Sequence, residues 1–211
     1  MIKLVIDTSS HICQIAIIKD ETILSHVFQE ISFGMGEALF GILQKALDQA
    51  GIIKQDIDEI YVTLGPGSFT GVRIGISAAI GLKLGLGIPL HGISSLKAHA
   101  QQGRSVLPAL VILDARRQKD FYVQAFAPDL TPLTEPLNIS VEMIREMLSN
   151  KAYFVCGDAA QELKDGLFLN CVFDENRFLD PLSIIHTGGQ KQVAPLYIRP
   201  PDVGIKKWEK S

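Results

Sequence analysis

Cysteine is scarce in this chain of 211 residues, and the charges of the two signs nearly balance. The three cysteines, Cys13, Cys156 and Cys171, are an odd number without a CxxC pair, which argues against a disulfide framework and structural zinc. The 20 basic and 23 acidic residues give a formal charge of −3, so charge alone does not indicate nucleic-acid binding. A hydrophobic fraction of 47% beside 20% charged residues predicts a globular core and excludes intrinsic disorder.

Long apolar runs and targeting signals are also missing. No segment reaches about 18 uninterrupted apolar residues, the length a helix needs to cross a bilayer. The N-terminus, MIKLVIDTSS, lacks the longer apolar stretch and the small-residue cleavage site of a signal peptide. We therefore expect a soluble, cytoplasmic protein with no membrane partner.

The first segment of the chain predicts strands followed by an amphipathic helix. Short apolar runs separated by polar turns predict an antiparallel meander over Lys3–Asp7, Cys13–Ile18 and Thr22–Phe28. A helix is predicted from about Gly34 to Ala50, ended by Gly51. Its apolar stripe covers about 200°, roughly twice the width that packing on one sheet needs, so we expect a second contact. The stripe includes Met35, Leu39, Phe40, Leu43 and Leu47.

A second helix follows a fourth strand and a glycine-rich turn. The strand is predicted over Ile57–Leu64, the helix over Val72–Leu86, and a short fifth strand over Ile88–His91. Because the helix is apolar in almost every direction, it should be buried all round. Small residues line up four apart on it, at Ser77, Gly81 and Gly85. This groove would admit either another chain or an internal neighbour, and both alternatives remain open.

The second half repeats the outline of the first. The predicted strands Val106–Leu113 and Phe121–Phe126 flank a polar turn after Asp114, as the first two strands flank the turn after Asp7. Further elements are predicted as a helix at Val141–Asn150, a strand at Tyr153–Cys156, and weaker helices at Ala160–Leu163 and Pro181–Thr187. The repeat predicts two lobes of a β-rich α/β fold, with residues 1–103 in one and 104–211 in the other.

The glycine-rich turn has two interpretations. It joins a strand to a helix, where backbone N–H groups and the helix dipole favour an anion such as phosphate. It matches neither a Walker loop, nor GxGxxG, nor a GxSxG elbow, and a tight turn that sets the helix against its strand is the alternative. The residues concerned are Gly65, Gly67, Ser68 and Gly71. Arg73, just inside the helix, is expected to bond a carboxylate or this turn.

Acids and histidines give weaker indications of chemistry. Asp7 and Asp114 each end a strand and could face each other around a metal–phosphate group, or they could simply cap their turns. The bulky pair Arg116 and Arg117 stands where a phosphate hairpin would have small residues, which favours the capping role for Asp114. The five histidines show no HxxxH or HExxH spacing, so no metal site is expected.

Three segments together resemble one known family. The stretches IDTSS at Ile6–Ser10, GPGSFTGVRIGI at Gly65–Ile76 and LDARRQKDFY at Leu113–Tyr122 are similar, in order and spacing, to landmarks of the TsaB (YeaZ) family of tRNA threonylcarbamoyladenosine biosynthesis proteins. PLYIRPP near the end is compatible with it. The resemblance implies a two-lobed, ribonuclease H-like fold of the actin/Hsp70/sugar-kinase type. One departure is Gly34-Met35-Gly36-Glu37, where the family usually has a triplet such as His-Ser-Glu.

The same resemblance implies a function. The family supplies a non-catalytic subunit required for threonylcarbamoyl transfer to adenosine 37 of ANN-decoding tRNAs, paired with a catalytic paralogue (TsaD). A P-loop ATPase (TsaE) joins the assembly, and tRNA is engaged indirectly. As a related prediction, we expect the chain to pair with itself through the same face when the paralogue is absent. No cofactor is bound tightly, and ATP or ADP lies only at the junction of the complex. No catalytic residue and no metal ligand is expected in this chain.

Two functional hypotheses follow. In the first, the first two helices dock on the paralogue. The expected interface comprises Met35, Leu39, Phe40, Leu43, Leu47, Val72, Ser77, Ile80, Gly81 and Gly85. In the second, the chain is an ATP-dependent small-molecule phosphotransferase of the same fold. It would use Asp7 and the glycine-rich turn with Arg73.

Overall fold

Two five-stranded mixed sheets form the framework of the protein in a computed structural model that describes residues 1–117, 120–164 and 170–198. The side chains of residues 116 and 117 are also outside this description. The basic C-terminal segment with Lys206, Lys207 and Lys210 lies outside the described residues, as does the end of PLYIRPP.

The first sheet contains the predicted meander. Its strands are β1 (Ile2–Asp7), β2 (Ile12–Lys19), β3 (Thr22–Glu30), β4 (Glu59–Thr63) and β5 (Leu90–Ile93), in the order β3-β2-β1-β4-β5. The first three strands pair antiparallel, whereas β4 and β5 join them in parallel. The parallel pairing requires crossover connections, which the two long helices provide.

Helices α1 (Met35–Ala50) and α2 (Phe69–Leu86) cover one face of this sheet. As predicted, α1 ends at Gly51, which adopts the left-handed conformation that closes a helix without a side-chain clash. α2 begins three residues earlier than predicted because the Ser68 hydroxyl accepts a hydrogen bond from the Gly71 N–H and caps the first turn. By length and composition alone, α2 is long and apolar enough to cross a bilayer, but about a third of it is buried in the fold.

The second sheet has the order β10-β9-β6-β7-β8. Its strands are β6 (Ala109–Arg117), β7 (Asp120–Phe126), β8 (Leu137–Ser140), β9 (Phe154–Cys156) and β10 (Val172–Phe173). Helix α4 (Val141–Asn150) buries Ile144 and Leu148 against one face. Helix α3 (Ser95–Gln102) packs Leu96 and Ala100 against the other face.

The connections between the sheets run in both directions. Ala98 of α3 also contacts the apolar cluster under the first sheet, so α3 lies between the two sheets. Helix α5 (Pro181–His186) comes after the second sheet in sequence, yet it packs Ile184 against Val5 on the first sheet. The division of the chain into residues 1–103 and 104–211 stays a prediction.

Candidate functional site

The glycine-rich turn packs directly on the loop between β1 and β2. A methyl group built on Gly67 would lie 2.0 Å from the Ser9 carbonyl oxygen, and one on Gly71 would lie 2.2 Å from the Thr8 carbonyl oxygen. One on Gly75 would lie 2.3 Å from the Thr8 hydroxyl. Only glycine therefore allows α2 to approach the loop this closely.

Hydrogen bonds lock this contact. The Ser68 N–H donates to the Ser9 carbonyl at 2.7 Å, and the Thr8 hydroxyl donates to the Gly71 carbonyl at 2.7 Å. The Gly71 N–H is satisfied by the Ser68 hydroxyl at 3.1 Å. Two backbone donors of the turn, the N–H groups of Ser68 and Gly71, are thus committed within the chain, which favours the tight-turn interpretation over phosphate binding.

Asp7 is the centre of a buried network rather than an open ligand. Its Oδ1 accepts from the Ser9 N–H at 2.9 Å, the Ser9 hydroxyl at 2.6 Å and the Thr63 hydroxyl at 2.7 Å. Its Oδ2 accepts from Gln14 Nε2 at 2.9 Å. With only 3% of its surface exposed, the carboxylate holds the loop in place and has little capacity left for a metal–phosphate group.

The cleft between the two sheets is closed. Asp7, Asp114 and Asp158 border the same cavity, and the positions of Asp7 and Asp114 at strand ends predicted that these two would face each other. The volume of this cavity is only about 10 Å³. That is room for about one water molecule. The segment from Arg177 to Leu179 lines it, and the Asp114 N–H donates to the Asp158 carboxylate at 2.8 Å.

His99 borders this closed cleft and is fully enclosed. Burial lowers its pKa to about 4, and the smaller effects of Asp7 and Asp174 act in the opposite direction. The imidazole is therefore neutral at pH 7. Burial likewise raises the pKa of the Cys13 thiol to about 12, so this cysteine is no nucleophile.

Arg73 lies at the surface, where it contacts Phe69 and Tyr197. Its Nε donates to the Tyr197 hydroxyl at 2.8 Å, and its guanidinium lies 3.7 Å from the centre of the Phe69 ring. No carboxylate partner is found among the described residues, but the contact with Phe69 brings Arg73 against the glycine-rich turn where α2 begins, and Tyr197 lies in the segment that passes over the exposed surface there.

An exposed apolar face remains on α1 and α2. Phe40 is 57% exposed, Leu84 is 76% exposed and Ile80 is 37% exposed. A groove of about 490 Å³ between the two helices is bordered by Phe40, Phe69, Arg73, Ile74 and Ser77. We call Phe40, Ile74, Ser77, Ile80, Gly81, Leu84 and Gly85 the α1–α2 face. Ile74 and Leu84 were not among the predicted interface residues, although the apolar pattern of the helix contained both.

The predicted small-residue groove belongs to this face. A methyl group built on Gly81 or Gly85 would meet nothing within 4 Å. The internal-neighbour alternative therefore fails within the described part of the chain. The prediction that α2 is buried all round was also wrong, because among the described residues α2 is covered where it faces the first sheet and α1, while its outer side is exposed.

Four of the predicted interface residues lie in the core instead. Leu39, Leu43, Leu47 and Val72 are each at most 5% exposed and pack against the first sheet. They leave no surface for a partner, so they are removed from the predicted interface. Met35 is half-buried, whereas Phe40, Ser77, Ile80, Gly81 and Gly85 are exposed as an interface requires.

Comparisons with known proteins agree with this geometry. A family model described as TsaD, tRNA N6-adenosine threonylcarbamoyltransferase, matches residues 35–149, more than half of the chain. The TsaB proteins of Bacillus subtilis and Escherichia coli are each 34% identical, over 54% and 57% of this chain and 50% and 53% of theirs. The chain spans about half the length of the curated relatives it matches.

The fold is shared with a solved relative. YeaZ from Pseudomonas aeruginosa superposes with a TM-score of 0.76 at 21% identity, covering 93% of this chain and 99% of that one. This likeness confirms the predicted two-lobed, actin-like fold. The chain thus belongs to the family that the threonylcarbamoyltransferase model describes, and within it to the TsaB (YeaZ) proteins.

Proposed function

We propose that the chain is a non-catalytic subunit required for threonylcarbamoyl transfer to adenosine 37 of ANN-decoding tRNAs. The names of its curated relatives, which are tRNA threonylcarbamoyladenosine biosynthesis proteins, support a part in that modification. The exposed α1–α2 face supports a role as a docking subunit. In this role the chain docks on the catalytic paralogue TsaD and holds it in an active arrangement.

The exposed α1–α2 face is the observation that carries the proposal. Exposed apolar side chains at Phe40, Ile80 and Leu84 flank a line of small residues that nothing in the described chain covers. Such a surface suits another pair of helices, because small residues let two backbones approach while flanking apolar side chains lose their water. A paralogue of the same fold presents helices of this kind, and a second copy of this chain would occupy the face when the paralogue is absent.

Catalysis by the chain itself has less support. The phosphotransferase alternative needs a free carboxylate and space for ATP between the lobes. Asp7 already accepts four hydrogen bonds, and the cavity beside it has a volume of about 10 Å³.

Within the same proposal, the ATPase TsaE joins the assembly in the cytoplasm, tRNA is engaged through the paralogue, and nucleotide binds only at the junction.

Light scattering on a sizing column tests the pairing. The chain is run alone, with the paralogue from the same cell, and with TsaE and ATP added. We expect a self-dimer to be replaced by a one-to-one species. Gly81→Leu should weaken that species at least tenfold because the added side chain fills the groove, while Ser149→Leu, an exposed change on α4, should leave it intact.

The other outcomes separate the two functions. Absence of any complex, even with TsaE and nucleotide present, would remove the scaffold role. Saturable binding of ATP to the isolated chain, lost in Asp7→Asn, would support the phosphotransferase. Equal pairing by Gly81→Leu and the parent chain would show that the interface lies elsewhere.

A further inference from the structure

Arg73 borders the groove between α1 and α2, and its side chain is fixed although it is exposed. Its guanidinium carbon lies 3.7 Å from the centre of the Phe69 ring and 5.5 Å from the centre of the Tyr197 ring. Its Nε donates to the Tyr197 hydroxyl at 2.8 Å. These contacts hold the guanidinium at the rim of the groove, so it loses little further freedom when it binds a second group there.

The contacts use only part of the guanidinium. Of its five N–H donors, the one on Nε is taken by the Tyr197 hydroxyl. The four donors on the two terminal nitrogens have no partner among the residues that the structure describes. The edge formed by those two nitrogens can therefore receive both oxygens of one carboxylate, the geometry in which arginine binds acids most strongly.

The surface around Arg73 carries no charge that could balance it. Among the described residues that border the groove, Arg73 is the only charged one. Helix α2 contains no Asp or Glu along its whole length. Phe40, Phe69 and Ile74 give the groove an apolar lining, so a partner seated there would exclude water from beside the guanidinium.

This arrangement sets a chemical condition on the partner. A charge that loses its water without gaining an opposite charge opposes association, and a neutral hydroxyl and aromatic rings offset only part of that penalty. A partner that covers the groove must therefore bring an acid to Arg73. This step rests on the proposed function, in which the α1–α2 face is the docking surface.

We propose that Arg73 selects the partner by binding a carboxylate that the catalytic paralogue presents at the rim of the groove. An Asp or Glu side chain of the paralogue places one oxygen on each terminal nitrogen. It approaches in the plane of the guanidinium, because the Phe69 ring covers one face. A second copy of this chain has no acid on its α2, so the contact favours the paralogue over self-pairing.

Titration calorimetry of the full chain with the paralogue from the same cell tests this contact. Arg73→Gln removes the charge and the fork, and it should raise the Kd at least tenfold and flatten the dependence of the Kd on salt. Arg73→Lys should raise the Kd at least threefold, because lysine supplies a charge without the planar fork. Arg145→Gln, at an exposed arginine on α4, is the matched control and should pair like the unmodified chain.

Charge reversal identifies the acid on the other side. Each exposed Asp and Glu of the paralogue is changed to Lys in turn and titrated with the Arg73→Glu chain. One of these reversals should lower the Kd at least tenfold relative to Arg73→Glu with the unchanged paralogue. If none does, the guanidinium binds no carboxylate and the proposal is overturned.

The remaining outcomes separate this inference from the proposed function. If the unmodified chain forms no complex, both fail. If the complex forms and folded Arg73→Gln pairs equally well, the docking function stands and the role of Arg73 is refuted. If Arg73→Gln weakens the self-dimer as strongly as the complex, a second copy supplies the acid and the assignment to the paralogue is wrong. Circular dichroism of each variant confirms that it is folded before it is compared.

Discussion

The two halves of helix α2 use the same residue type for opposite reasons. In the N-terminal half, Gly71 and Gly75 lie so close to Thr8 that no side chain fits, and the contact belongs entirely to this chain. In the C-terminal half, Gly81 and Gly85 face open space. Each glycine costs a helix about 1 kcal/mol relative to alanine.

The difference between the two pairs of glycines shows which contacts offset the lost helix stability. For the first pair, the close packing on the β1–β2 loop offsets it, with the hydrogen bond from Thr8 to Gly71 as a buried contribution. For the second pair, nothing within the described chain compensates. A residue that destabilises its own helix without an internal contact indicates an external one, which is the reason for assigning the outer half of α2 to a partner.

The largest expected effect comes from Gly71→Ala. The new methyl group would lie 2.2 Å from a backbone oxygen that cannot move without distorting β1, so we expect a loss of about 3 kcal/mol in the free energy of unfolding. Urea denaturation followed by circular dichroism measures it. Gly81→Ala is the matched control in the same helix. If the two variants were equally stable, the contrast between the halves would not exist.

The second-largest expected effect is a loss of stability in acid, through the buried His99. The pKa of His99 is about 4 in the folded protein, below its ordinary value of 6.5. As the pH falls below 6.5, the unfolded chain binds a proton that the folded chain does not, so the free energy of unfolding decreases until about pH 4. We expect about 2 kcal/mol to be lost by pH 5. His99→Gln should remove most of this dependence, and an unchanged pH profile in that variant would assign the loss to other groups.

A smaller loss is expected from Thr8→Val. The change keeps the shape of the side chain but removes the hydroxyl that donates to the Gly71 carbonyl at 2.7 Å in a fully buried position. An unsatisfied buried acceptor costs about 1–2 kcal/mol. Denaturation compared with Thr22→Val, an exposed threonine on β3, isolates the hydrogen bond from the general effect of valine.

The smallest effect has the opposite sign. Gly81→Ala should stabilise the monomer by about 0.5–1 kcal/mol, because alanine favours the helix and the position is open. Thermal unfolding at a concentration where the chain is monomeric measures it. A destabilised monomer would reveal an internal contact at Gly81, and the two halves of α2 would then no longer differ in this respect.

The sequence predicted regular elements best where a local signal was complete. The apolar stripe of α1 and its terminating Gly51 were sufficient to predict that helix, and the short apolar runs separated by polar turns were sufficient to predict β1 to β3. Helix α3 was missed because its apolar residues are few and mostly alanine, and β8 and β10 were missed because they are short. Their formation depends on partners distant in sequence, which no local pattern contains.

The candidate site was predictable only in part. The line at Ser77, Gly81 and Gly85 was visible as spacing, but spacing does not say which stripe faces the sheet, so Leu39 and Val72 were wrongly placed at the surface. The hydrogen bonds that occupy the Asp7 carboxylate include one from the Thr63 hydroxyl, which lies 56 residues away in sequence. Periodicity reports which residues share a side; only the packed structure reports what that side meets.

The position of α5 has a consequence for the order of synthesis. The first sheet has two apolar faces, and α1 and α2 cover only one of them. The other, with Val5, Ile18 and Ile93, is covered in part by Ala98 of α3, and it is closed by Ile184 and Ile185 of a helix that leaves the ribosome after the whole second sheet. A nascent chain therefore carries a partly uncovered apolar face on its first-made strands until residues 181–186 emerge, and a chain interrupted before Pro181 is expected to need a chaperone to stay in solution.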